Sequence, residues 1–547
     1  MKKTTRFAAL SIAVLMGVGS TFALGACGGA GGANNDPNAV NIKAVNLGFG
    51  VEWLYQLTAA YTQANPDTTF NITPLAGQDG VEAIQGEMES LSGTTDIFFT
   101  RPSDFHSVCY QGEVVTKAGK FDCAYADLTD IWQSAYEGEN GATMESKIDD
   151  AYDEYLNVNG KYYGVPWADG FMGIVRNKNV WATLGLTDED IPLTTNEWLA
   201  LCDEIKTLAK EAKASGKTQF EIAPILYSKS EEYYTSVFPI WLAQYEGKTS
   251  MKNLEKGLDP IGEFSDKLYN YKGQTVALNF IADLLTKENG QYKYHHKDCD
   301  SLDFTTMQSY FLLDQAAFCV NGSWLEIEMN KNGAAKQHNI DYIKAPVISA
   351  LVDKLSFANE SGLTAAQKDE RLAQLVAFVD AHPNANDNEG APAYATEADV
   401  EKVREARQVA YTRSGADHTA IVPAYATHLE QAKAFLKYMY SDAGLNVYYK
   451  AQKGNGLPAT PTGGYESVTL STFTKSVNDV RTEGAYTNYS FYNKAKVYSL
   501  GGVNLHYYNG STNAVHRIIE GDSVATIIAD NQKDIKTRWT SIANSCK

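Results

Sequence analysis

After Val18 the sequence has no apolar run near the ~20 residues that a membrane helix requires, so nothing beyond the leader is read as a bilayer span. Gly-x-Ser-x-Gly, His-Glu-x-x-His and Gly-x4-Gly-Lys-Ser/Thr are all missing, which removes the usual marks of a serine hydrolase, a zinc protease and a P-loop enzyme. Gly48-Phe49-Gly50 lacks the third glycine of a dinucleotide loop. His295-His296 with Cys299 has incomplete spacing for a metal site and reads as a polar surface turn. No cofactor or metal is therefore expected. Positive charge is also scarce: 47 Lys plus Arg stand against 66 Asp plus Glu, a net charge of −19. Such a surface repels phosphate backbones, so nucleic acid is not the expected partner. Repeats at solenoid spacing are absent.

What is present begins at the N-terminus. Lys2, Lys3 and Arg6 precede the apolar stretch Phe7 to Val18, the pattern of a signal peptide. Leu24-Gly25-Ala26-Cys27 then resembles the bacterial lipobox, which implies removal of 1–26 and a lipid on Cys27. Residues 27–39, rich in Gly, Ala and Asn, read as a flexible tether. The expected location is the extracellular side of the cytoplasmic membrane, held there only through the N-terminal lipid. Of the seven cysteines, six remain after Cys27, a number compatible with disulfides in an exported protein. Cys109 and Cys123 are the expected pair, closing a short loop. Cys202, Cys299, Cys319 and Cys546 form further bridges or stay as small buried apolar groups.

The rest of the chain is longer than one core usually holds. Val40 to Leu47 alternates as a strand, Glu52 to Gln63 is helical, and Thr69 to Thr73 is a second strand. A helix from Glu82 to Leu91 and a buried strand from Thr95 to Thr100 follow. This order implies a parallel sheet covered by helices, with ligands beyond the carboxyl ends of its strands. Capping boxes begin at Thr194, Thr396 and Thr427, each with an acidic residue three positions on. Between about 351 and 413, two helical runs flank the polar loop His382 to Glu389 and read as an insertion packed outside the core architecture.

Three blocks carry a resemblance. The first is Gly160-Lys161-Tyr162-Tyr163-Gly164-Val165-Pro166-Trp167 with Gly173 to Lys178. The second runs from Ala316 to Trp324. The third joins Ala420-Ile421-Val422-Pro423-Ala424 to Gly454-Asn455-Gly456-Leu457-Pro458-Ala459. In this order they resemble the extracellular solute-binding protein family that includes the maltose-binding protein. The resemblance implies a two-lobed, periplasmic-binding-protein-like α/β fold of type II with hinge crossovers. The first lobe would hold 40–165 and 346–459, and the second 167–345 and 460–547. It implies a monomer that captures a carbohydrate, an oligosaccharide in particular, and delivers it to the membrane permease subunits of an ABC importer. No catalysis is implied. A peptide or other small solute would use the same fold, and a surface-anchored glycan hydrolase is the rival from another class.

Sugars offer flat C–H faces to aromatic rings and a rim of hydroxyls to polar side chains. The expected ligand contacts lie at strand ends or crossovers: Glu52 and Trp53 at the first helix, Arg101 after the third strand, and Trp167 and Asp169 past the first crossover. Trp324 follows the Asn321-Gly322-Ser323 turn, and Tyr507, Tyr508 and Asn509 form a late loop. Trp132, Trp181, Trp198, Trp241 and Trp539 are assigned to the interior. Thirty-three tyrosines are compatible with a wide aromatic groove.

Overall fold

The computed structural model describes residues 39–547 except 118, 230–232, 330–338, 414–417, 484, 489–493 and 504–512. Its strands fall into two main sheets. In chain order they are β1 (Ala39–Asn46), β2 (Thr69–Ala76), β3 (Ile97–Thr100), β4 (Val165–Pro166), β5 (Phe171–Asn177) and β6 (Ala223–Leu226). Then come β7 (Ala316–Gly322), β8 (Ile340–Ile343), β9 (Val409–Arg413), β10 (Thr419–Ile421) and β11 (Ala485–Asn488). The first sheet has the order β2-β1-β3-β10-β4 and the second β6-β7-β5-β9-β11, with β8 also on β5.

Local sequence explains these elements. Along β1, Val40, Ile42 and Ala44 alternate into the interior, and β2 and β3 flank it in parallel, as the strand-helix-strand order implies. The intervening helix α1 (Glu52–Ala64) buries Trp53, Leu54, Leu57 and Tyr61 on one side. The expected helix at Glu82 begins earlier, at Gly77. Strand β7 is buried throughout and pairs antiparallel with β5, so both faces of the second sheet are covered. The Thr194 box is formed: its side chain accepts from Glu197 N–H at the start of a helix from Thr195 to Ala214. The Thr396 box forms as well.

The third box does not. Thr427 N–H and His428 N–H both donate to Oδ1 of Asp96, at 3.0 and 2.9 Å. A carboxylate far away in sequence therefore anchors the chain just before Leu429–Met439. It displaces the local Glu430 pairing.

Two separate cores result. One gathers residues between Val40 and Ala168 with Ala420 to Ala459; the other, larger, gathers Met172 to Val409 with Val497 to Ile542. A third apolar cluster, with Phe171, Val175 and Cys319, covers the opposite face of the second sheet. Residues 346–413 were expected in the first lobe but pack with the second core. Leu351, Leu372, Val376, Val400 and Val403 are buried there, and β9 pairs with β5. The cause is topological: the chain returns to the first sheet only at β10.

The chain therefore passes between the sheets from β4 to β5, from β9 to β10, and again after Ala459. Hydrogen bonds fix the first two passages. Tyr440 and Tyr448 hydroxyls donate to the carbonyls of Pro166 and Trp167, both at 2.8 Å, and Trp167 N–H donates to His418 O at 3.0 Å. Among the described residues no helix is long and apolar enough to cross a membrane.

Candidate functional site

The two cores meet along a seam, and three features of that seam are built from both sides. The first is aromatic. Trp324, half-buried just after β7, packs against both cores. Its ring centroid lies 5.7 Å from that of Phe49, which itself meets Trp167 and His418 edge-on. Glycines make room for the indole. A Cβ on Gly322 would fall 2.4 Å from the Trp324 ring, and one on Gly170 would fall 3.0 Å from it. At Gly48 a Cβ would come within 2.9 Å, and there φ is +30°, a backbone region that side chains resist.

The second feature is ionic. Asp169, whose side chain is fully buried, faces Arg413 Nε at 3.2 Å and Arg481 Nη2 at 2.5 Å. Tyr152 hydroxyl donates to its Oδ1 at 3.0 Å. Arg413 also reaches Asp149 at 3.0 Å and lies over the Tyr152 ring. Tyr152 belongs to the first core; Arg413 and Arg481 stand on β9 and on a helix (Thr472–Glu483) against β8 of the second sheet. Burial and the Asp169 charge hold the Tyr152 phenol well above its ordinary pKa.

The third is a cavity of about 710 Å³, within the usual range for small-molecule sites. Tyr110, Asp150, Ala151, Glu154 and Tyr155 wall it from the first side. The other wall comes from Lys248, Met251, Lys252, Glu255 and Lys256, with Glu405, Val409 and Lys494 to Lys496. Tyr110 hydroxyl donates to Lys494 O at 2.9 Å, and Lys494 Nζ donates to Glu154 O, so the two walls touch. Burial, then the charge of Glu154, pushes the Glu255 carboxyl up to about 7. A larger cavity of about 1150 Å³ is walled from the side of the second core alone, by residues from Lys206 to Gln315.

The expected contacts distribute unevenly over these features. Trp53 and Trp167 are core residues, each about 1% exposed, with their rings stacked 5.8 Å apart. Their N–H groups are satisfied internally, Trp53 by Gly50 O and Trp167 by Thr100 O. Packing claims both rings, and neither offers a face to solvent. Asp169 lies in the ionic cluster and Trp324 in the aromatic one. Arg101 is half-buried just past β3, and Glu52 is exposed at the start of α1. None of these described residues lines the 710 Å³ cavity. Cys27, Tyr507, Tyr508 and Asn509 lie outside the described residues. Tyr110 and Tyr155 were missed; the available signal was their position on helices that follow β3 and precede the first crossover.

Cys109 and Cys123, expected as a disulfide, are both free thiols here and both buried. They are hydrogen-bonded to each other, which holds the Cys123 thiol below and the Cys109 thiol above the ordinary value, the latter chiefly through burial. The other four described cysteines are free too. His295 and His296 are buried, not a surface turn: Tyr234 hydroxyl stands 2.7 Å from His295 Nε2.

Two α/β cores joined by repeated crossings, with a solute-sized cavity between them, define a two-lobed solute-binding protein. The chain belongs to the bacterial extracellular solute-binding protein family, whose pattern matches residues 50–445. Solved structures share the fold. The ligand-free RafE of Streptococcus pneumoniae is 16% identical, with a TM-score of 0.51 over 91% of this chain and 97% of that one. An ABC substrate-binding protein of Listeria monocytogenes in complex with cycloalternan is 12% identical, with a TM-score of 0.54 over 92% and 99%. A cyclic α-maltosyl-1,6-maltose binding protein of Arthrobacter globiformis is 14% identical, with a TM-score of 0.52 over 91% and 98%. Among curated proteins none matches this chain.

Proposed function

We propose that this protein is the substrate-binding component of an ABC-type importer and captures an oligosaccharide by closing two lobes around it. The observation that carries this reading is the cavity whose walls come from both cores, with Tyr110 and Tyr155 on one side and lysines and carboxylates on the other. Tyrosine rings suit the apolar faces of pyranose units, and charged side chains make strong hydrogen bonds to hydroxyls. The family supports solute binding, and the similar folds named for raffinose, cycloalternan and cyclic maltosyl-maltose support a sugar.

A solute touching both walls favours the closed arrangement by its differential contacts, and the permease then reads that arrangement. On this reading the lobes follow the two cores, and the protein works as a monomer. The lipid on Cys27 holds it outside the cytoplasmic membrane, and it has no catalytic role. Calorimetry of the mature chain against neutral and acidic oligosaccharides and against peptides tests the reading, with small-angle scattering alongside. Sugar binding accompanied by a smaller radius of gyration is expected. Binding of peptides alone, or release of cleaved glycans, would overturn it.

A further inference from the structure

We infer that the captured solute is an acidic oligosaccharide, one carrying the carboxylates of uronic-acid units. This rests on the carbohydrate reading above and narrows its chemistry. The chain carries a net charge of −19, yet five lysines line the seam cavity: Lys248, Lys252 and Lys256 from one segment and Lys494 and Lys496 from another. The first three stand four residues apart, a spacing that places them on one face of the helix Lys248–Glu255 and its last turn.

Among the described residues, none of these five ammonium groups has a carboxylate within 4.0 Å. Lys494 is the decisive case. It is half-buried between the walls; burial holds its pKa below the ordinary lysine value, partly offset by the charges of Glu154 and Asp153, and its ammonium meets the carbonyl oxygen of Glu154. Its hydrogen-bond acceptor is thus a neutral carbonyl, and the ammonium can donate a further bond to a solute anion. Lys496 lies over the ring of Tyr110, so cationic and stacking groups are side by side, as a charged sugar requires.

Four carboxylates share the walls, those of Asp150, Glu154, Glu255 and Glu405. They do not cancel the lysines. Glu405 accepts from the backbone N–H of Lys248, and burial beside Glu154 disfavours the charged form of Glu255, partly offset by Lys252 and Lys256. Among the described lining residues, five ammonium groups therefore stand against four carboxylates, one of which is engaged by a backbone N–H. Among the described lining residues the cations are all single ammonium groups, each able to meet one carboxylate of a uronic-acid unit.

The test titrates the mature protein with a trigalacturonate and with a neutral trisaccharide, and repeats both with Lys494→Gln and with the exposed-site variant Lys252→Gln. The acidic trimer is expected to bind at least tenfold more tightly than the neutral one. Each variant should lose most of that preference, its acidic-trimer affinity falling at least fivefold more than its neutral-sugar affinity; Lys252→Gln, at an exposed position, guards against misfolding at the half-buried Lys494. Neutral sugars bound equally or better would overturn the acidic inference and leave the carbohydrate reading standing. Failure of every sugar alongside peptide binding would overturn both. Tighter binding of sulfated or phosphorylated trimers than of the carboxylated one would also overturn it.

Discussion

Arg413 Nε stands 3.2 Å from Asp169 Oδ1, with the side chain of Asp169 fully buried and that of Arg413 about 3% exposed. Asp169 precedes β5 on the first passage between the sheets, and Arg413 ends β9 before the second, so one ion pair clamps both passages. Removing one member of such a pair strands a buried charge, at a cost of about 3–5 kcal/mol. Asp169→Asn is therefore expected to lower the urea midpoint markedly. Asp169→Asn with Arg413→Met should recover part of the loss, and equal stability of the single variant and the parent would refute the clamp.

Trp324 and Trp167 lie near each other but answer different questions. Trp167 donates to Thr100 O at 2.8 Å and stacks on Trp53 inside the first core. Trp167→Phe breaks that buried bond and leaves the carbonyl unpaired, costing about 1–3 kcal/mol, with solute affinity unchanged in the folded protein. Trp324 rests on both cores, so relative movement of the lobes changes its surroundings. Trp324→Phe should abolish most of the fluorescence change that accompanies ligand binding. A full change retained in Trp324→Phe would show that the seam at this point does not move.

Cys109 and Cys123 are adjacent thiols, and an extracellular setting supplies oxidants. Closing the short loop between them would stabilise the protein by about 3 kcal/mol through the unfolded state. Mass spectrometry of alkylated protein, before and after mild oxidation, should show loss of two free thiols at these positions only. The oxidised form should melt higher, and Cys109→Ser should remove the difference.

Much of the first sheet was legible because its strands alternate or run apolar and its helices carry local start signals. The seam was less so. Trp53 and Trp167 sit at strand and helix ends that a ligand site also uses, and sequence does not say whether such a ring faces solvent or stacks on another ring. The Thr427 box failed because Asp96, distant in sequence, accepts from the Thr427 N–H that the Glu430 side chain would have taken, and from His428 N–H as well. Residues 346–413 were misplaced because their helices carry ordinary apolar stripes, which fit any core; only the pairing of β9 with β5 decides between the two. The lysines of the cavity gave no signal at all, since charge on a helix is usually a solvated face.

Acid stability follows from two buried histidines. Burial lowers His295 to about 3; burial, reinforced by Lys494 and partly offset by the bond to Tyr155 O, lowers His106 to about 4. Both groups take up a proton near 6.5 when the chain unfolds, so below that pH the unfolded state binds more protons and stability falls. Each contributes about 1.4 kcal/mol per pH unit, from near 6.5 down to its own folded value, where the loss levels off. Glu255 acts in the opposite sense. Its folded value, about 7, is above the ordinary 4.5, so acidification from 7 towards 4.5 relieves a penalty in the folded state. Urea titrations at pH 7, 6 and 5 should thus show a net loss, shallower for His295→Gln and steeper for Glu255→Gln. Parallel slopes for all three proteins would mean that neither group titrates differently on folding, and that the seam carboxyl is an ordinary solvated acid.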